Sequence, residues 1–225
     1  MQRLLIIKTS SLGDIVHGLQ VVQSIQQQLE CHISWVVRER FAALVERAKC
    51  VDEIIIWHPD KRLAGIIDII KRLRANTYDR VLDLQGLLVS GLMTGCARAP
   101  IKWGRSDSRE GAGFFYNRRV SLPSAAPPYH ALHILLAFCT VLDVTPELHR
   151  PLQLKSFEPP VWGDFISGSN QQVVAMFPDS SVARKEWWGV ESLSHQLLRL
   201  YPELTLVWCA RLPRTASAAR FCYAL

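Results

Sequence analysis

The 225-residue sequence predicts an α/β protein with parallel sheets, and three observations carry that expectation. Short apolar runs alternate with longer segments whose apolar residues recur at helical spacing. The short runs are apolar at nearly every position, as strands covered on both faces must be, rather than at every second one. After a proline-rich interruption the strand, loop, helix, strand order begins again, which predicts a second, smaller α/β domain.

Residues 3–8 (RLLIIK) read as a buried strand, and residues 14–29 as a helix because Ile15, Leu19, Val22 and Ile25 fall on one face. Further strands are expected at 32–37, 51–57, 79–85 and 101–105, with helices at 40–48, 63–76 and 87–97. A proline-rich break precedes a long helix from about His130, and the first domain is drawn as residues 1–150. Residues 151–171 read as a linker, since four prolines fall between 145 and 170 and few apolar positions recur periodically. The second domain, 172–225, has strands at 172–177 and 204–208 flanking a helix at 190–201. Globular sheets have about four to six strands, so a domain with two reads as incomplete.

Apolar residues make up 49% of the chain and charged ones 20%, the balance of a soluble globular protein. The net charge of +6 favours acidic partners such as nucleotides, phosphorylated lipids or nucleic acid. The seven tryptophans are scattered through apolar strands and not interleaved with Lys or Arg, which argues against a nucleic-acid module. Six cysteines stand far apart without a C-x-x-C pair, which argues against a zinc site or a disulfide framework and for small core residues of a reduced protein. The N-terminus has no secretory pattern, and the longest uncharged apolar run, 134–142, is far short of the roughly 20 residues of a membrane span. The expected location is the cytoplasm, with peripheral contact to the inner membrane.

Two loops collect the residues of chemistry. KTSSLGD, residues 8–14, leaves the first strand with a Lys, three hydroxyls, a Gly and a carboxylate. In parallel sheets ligands bind at the carboxyl ends of strands, where this loop falls. Ser10 or Ser11 with Asp14 is also a plain helix cap. The functional alternative makes Asp14 a general base, with Lys8 and the hydroxyls holding an anionic or polyhydroxyl ligand and His17 structural. FPDSSVARKEWWG, residues 177–189, again joins a strand to a helix, and its serines, Arg184 and Lys185 suit a phosphate at a helix N-terminus. The alternative is a solvated basic loop with its tryptophans in the core. Neither loop is a dinucleotide or P-loop motif.

KTSSLGDIVHGL, DLQGLLVSG, FYNRR and FPDSSVARKEWW, in this order, resemble the lipopolysaccharide heptosyltransferases of inverting glycosyltransferase family 9, most like the heptosyltransferase I subtype. The resemblance implies the GT-B architecture, two Rossmann-like domains with the two loops facing each other across a cleft. It implies transfer of heptose from ADP-heptose to the Kdo of a Kdo-lipid A acceptor, with inversion and with neither metal nor cofactor. Asp14 matches the family's catalytic base, and Lys8, Ser11 and Arg118 match acceptor-side positions. Ser180 and Lys185 match positions that hold the donor diphosphate. Lys61 and Arg62 fall near a further basic region of the acceptor side.

The sequence departs from the family in three places. Val89 stands where a Lys often follows DLQGL, Trp188 stands where a Pro follows Trp187, and a later D-T-G-x-x-H stretch of the donor site has no counterpart. The missing stretch, together with a tail after Trp208 that does not follow the family's run, predicts a C-terminally truncated member, by a natural stop or a frame change near Cys209. The alternative to an enzyme is a non-catalytic remnant that binds acceptor only.

Overall fold

A computed structural model of the chain describes residues 1–122, 130–156, 172–180, 183–210 and 220–223. The chain divides into two compact units, Met1–Ser156 and Phe157–Leu225.

The first unit is a six-stranded parallel sheet of β1 (Gln2–Ile7), β2 (Cys31–Arg38), β3 (Glu53–Trp57), β4 (Arg80–Asp83), β5 (Ile101–Arg105) and β6 (Arg118–Val120). Its order is β3-β2-β1-β4-β5-β6. β1 is central and covered on both faces, so Leu4 to Ile7 are wholly buried, which is why that run is apolar at every position. Alternate residues serve opposite layers. Leu4 and Ile6 pack with Ile33 and Trp35 under α1 (Leu12–Gln28), α2 (Ala42–Arg47) and α5 (Ala131–Thr140), through Leu19, Val45 and Phe138 among others. Leu5 and Ile7 pack with Val36 and Ile55 under α3 (Arg62–Ala75) and α4 (Leu88–Cys96), through Ile69, Leu73 and Met93. Cys31, Cys50 and Cys139 are small buried residues of this core.

This unit departs from the sequence expectation at β6 and at residues 151–156. β6 escaped notice because it has three residues, two of them arginines, and no apolar run marks it. Residues 151–156 belong to the unit. The Gln23 side chain donates to Pro151 O at 3.1 Å and accepts from Gln153 N at 2.7 Å, and Leu154 bridges to Ala48. The remainder of the expected linker, 157–171, lies outside the described residues.

The second unit contains β7 (Val173–Met176), α6 (Val190–Leu200), β8 (Thr205–Ala210) and β9 (Arg220–Tyr223), all strands parallel in the order β7-β8-β9. The expectation of two strands is therefore corrected to three among the described residues: the chain near its end pairs with β8 in register from Val207 to Ala210. Met176, Val190, Leu206 and Trp208 form the core, and the Trp208 indole N–H donates to Ser194 Oγ at 3.0 Å. Among the described residues no helix is long and apolar enough to cross a membrane.

Candidate functional site

The strand order reverses direction between β1 and β4, so the loops that leave their carboxyl ends diverge to opposite faces and open a crevice. The two loops are tied together there. Gln85 Oε1 accepts hydrogen bonds from both Thr9 N and Ser10 N at 3.2 Å. Gln85 is itself placed by Asp83, whose Oδ1 accepts from Gln85 N at 2.9 Å and Gly86 N at 3.0 Å. Gly86 has φ +72°, a conformation that a side chain resists, and an added Cβ would lie 3.2 Å from Arg105 Cδ. Asp83 is fully buried, and its Oδ2 accepts from the Tyr116 hydroxyl at 2.7 Å. Burial raises the Asp83 carboxyl above its ordinary pKa, against the opposing pull of those hydrogen bonds.

Against this frame stand the three residues expected in the first loop, and the fold does bring them together. α1 begins at Leu12, two residues earlier than expected, which makes Ser11 its N-cap and Asp14 the third helical residue. Ser11 N and Ser11 Oγ both donate to Asp14 Oδ2, at 3.2 and 3.0 Å. Lys8 Nζ lies 3.7 Å from the same oxygen. Burial pushes the Asp14 carboxyl up, but the Lys8 ammonium, both Ser11 hydrogen bonds and His17 outweigh it and hold it below its ordinary 3.8. Lys8 is almost wholly enclosed, and burial lowers its pKa while Asp14 and Asp83 pull it back up and Arg105 opposes them. Asp14 is thus part of the helix cap, and capping leaves its carboxylate 40% open to solvent.

Arg118 is not drawn into this cluster. It is exposed at the start of the edge strand β6, level with Trp103, and donates to Asn117 O at 3.3 Å. Within FYNRR the residue that reaches the crevice is Tyr116, its ring packed over Gly104, where any Cβ would collide with it. The ring of His17, one turn after Asp14, lies 5.5 Å from that of His130, the N-cap of α5, at a tilt of 56°, and among the described residues its Nδ1 has no hydrogen-bond partner. A cleft of about 540 Å³ lies elsewhere, lined by Trp103, His133, Leu136 and their neighbours and by no residue of the Lys8–Asp14 loop.

In the second unit Ser180 is half-buried and Lys185 is exposed on a short 3-10 turn, Ala183–Lys185, ahead of α6; residues 181 and 182 between them lie outside the described residues. Trp187 and Trp188 are 52% and 77% exposed, which rules out the alternative reading that placed them in the core, and the Trp187 ring lies over Gly189 at the start of α6. Val190 and Leu193 pack with Trp208 and Leu206 in the α6–sheet core.

The sequence reading missed Asp83, Gln85, Tyr116 and Arg105. The signal available was the motif DLQG, a strand ending in an acid with a glycine three residues on, the signature of a side chain-stabilised turn.

The chain is similar to several known proteins. The chain is 27% identical over 204 residues to the lipopolysaccharide core heptosyltransferase OpsX of Haemophilus influenzae, covering 86% of the chain and 57% of that protein. It is 34% identical over 130 residues to lipopolysaccharide heptosyltransferase 1 of Salmonella typhimurium, covering 52% of the chain and 41% of that protein. The chain thus spans about half the length of these relatives. The structure of the E. coli heptosyltransferase WaaC with ADP superimposes with a TM-score of 0.72 at 24% identity, over 98% of this chain and 74% of that one. The two Rossmann-like units are the GT-B fold class of such neighbours. The family model for glycosyltransferase family 9 (heptosyltransferase) matches residues 66–197, more than half of the chain, and the protein therefore belongs to glycosyltransferase family 9.

Proposed function

We propose that the protein transfers heptose from ADP-heptose to the Kdo of a lipid A-linked acceptor in the lipopolysaccharide inner core, with inversion and without a metal ion. The observation that carries this reading is the carboxylate of Asp14, presented at the crevice by the two Ser11 bonds and the enclosed Lys8 ammonium. An inverting displacement needs one positioned base on the attacking side. The acceptor hydroxyl oxygen bonds to the anomeric carbon as the bond from that carbon to the diphosphate oxygen breaks; ADP leaves with the electron pair, and the hydroxyl proton passes to Asp14. Because its pKa is held low, Asp14 is ionised at neutral pH and takes the proton only as attack acidifies the hydroxyl.

Lys8 and Ser11 act in this reading on the acceptor side, and Arg118 contributes charge to the acceptor from the exposed edge strand. Ser180 and Lys185 hold the diphosphate, whose negative charge grows as ADP departs, and a Lys ammonium with a serine hydroxyl serves that purpose without a divalent ion. ADP bound in the E. coli relative supports a nucleotide-linked donor. Working at the cytoplasmic face of the inner membrane accords with a lipid-borne acceptor.

The test is a transfer assay with purified chain, ADP-heptose and Kdo-lipid A, read by mass spectrometry of the lipid. A product heavier by one heptose is expected. Folded protein that binds the acceptor and yields no product would overturn the enzymatic reading in favour of acceptor binding alone.

A further inference from the structure

Apolar exposure is distributed unevenly over the first unit. Among the described residues ten large apolar side chains are exposed there, and eight of them lie on α1, α3, α4 or the 3-10 turn Ala112–Phe115; the others are Met1 and Leu154. Leu63, Ile66 and Ile67 are 69%, 38% and 47% exposed on α3, and Leu88 and Leu92 are 40% and 37% exposed on α4. The two helices lie side by side on one face of the sheet. The turn carrying Phe114, itself 90% exposed, packs onto α4 with Ala112 against Gly91 and Phe115 against Gly95. Leu63 and Leu88 stand in the first turns of helices that follow β3 and β4, so this surface begins at the same carboxyl edge as the Lys8–Asp14 loop.

The charge on this surface is one-sided. Residues 61–75 carry Lys61, Arg62, Lys71, Arg72 and Arg74 but one acid, Asp68, which is held by Arg72 at 3.0 Å. Asp60 and Glu110 stand at the margin. A second copy of the chain would bring four unopposed cations against four, which costs association. Anionic lipid suits both features, because apolar side chains enter the boundary between headgroups and acyl chains while Lys and Arg meet phosphates.

We propose that the α3–α4 face is a membrane-docking surface that rests on anionic phospholipid and holds the Lys8–Asp14 edge toward a lipid-borne acceptor. The acceptor part rests on the function proposed above, but docking requires neither sugar nor transfer.

The experiment is co-sedimentation of the 225-residue chain with vesicles of phosphatidylethanolamine and phosphatidylglycerol, beside vesicles of phosphatidylcholine. Binding to the anionic vesicles is expected, and salt weakens it. The double variant Ile66→Glu/Ile67→Glu replaces exposed side chains, keeps the fold by circular dichroism, and lowers partitioning by about tenfold or more. Lys71→Glu and Arg74→Glu each lower it by about fivefold and flatten its salt dependence. Equal binding by wild type and all these variants overturns the proposal, as does equal binding to both vesicle types. A wild type that elutes as a dimer and becomes monomeric in the Ile66/Ile67 variant also overturns it, and assigns the face to a second copy. Loss of transfer with vesicle binding intact would instead refute only the enzymatic reading.

Discussion

Gln85→Leu tests the physical tie between the two crevice loops. The substitution nearly preserves volume but removes the oxygen that accepts from Thr9 N and Ser10 N. A backbone amide that loses its acceptor costs about 1–3 kcal/mol, with the lower end applying where water can reach it. Gln85 is half-buried, so about 1 kcal/mol for each amide, or about 2 kcal/mol in all, is the expected loss. For a unit of this length, Met1–Ser156, that lowers the melting temperature by about 4–8 °C. Local opening of the loop should speed hydrogen exchange at Thr9 and Ser10 by up to about thirtyfold, with little change at Leu4 to Ile7 beyond the global loss. Gln85→Glu keeps an acceptor for Thr9 N and Ser10 N and should stay within about 0.5 kcal/mol of wild type. If Gln85→Leu lowers the melting temperature while Thr9 and Ser10 exchange as before, the side chain does not hold the loop and the reasoning fails.

Asp14→Asn keeps an oxygen for the Ser11 donors but removes the charge facing Lys8. Because Asp14 is 40% exposed, the expected stability loss is about 1 kcal/mol, read by thermal melting. The rate of heptose transfer should fall about 10²–10⁴-fold through loss of the base, and full activity in that variant would remove Asp14 from the mechanism. Gly104→Ala forces the Tyr116 ring away and breaks its bond to buried Asp83; a loss of about 2–4 kcal/mol is expected in urea titration, well above that of Tyr116→Phe. The pH dependence follows from the lowered pKa of Asp14. Stability that its charge contributes is fully present above 3.8, the unfolded value, and is lost as pH falls through the lower folded value. Asp14→Asn should therefore flatten the decline of melting temperature below pH 3.8, and in wild type kcat/KM should show no acid limb from Asp14 above that pH.

Alternation of near-continuous apolar runs with amphipathic segments was enough to place five of the strands of the first sheet and the helices between them. It worked because a strand covered on both faces must be apolar throughout, whatever its neighbours are. The position of Lys8, Ser11 and Asp14 was legible for a similar reason: the residues lie within one strand end and one helix turn, so local geometry alone makes them neighbours. Short elements defeated the same reasoning. Nothing periodic marks Arg118–Val120, and β9 declares itself through pairing with β8.

Strand order belongs to the tertiary structure. Placing β4 beside β1 requires the chain to cross the sheet, and no residue pattern in either strand states its neighbour. That choice brings Gln85 to Thr9 across 76 positions and Tyr116 to Asp83 across 33. It also decides that Tyr116 enters the crevice while Arg118 stays on the edge strand. By itself the sequence determined which groups could do chemistry, because side-chain type and local spacing are covalent facts. Which of those groups meet, how deeply Lys8 and Asp83 are enclosed, and which way their proton affinities move were decided by the fold, since desolvation and electrostatic partners exist only once distant segments have packed.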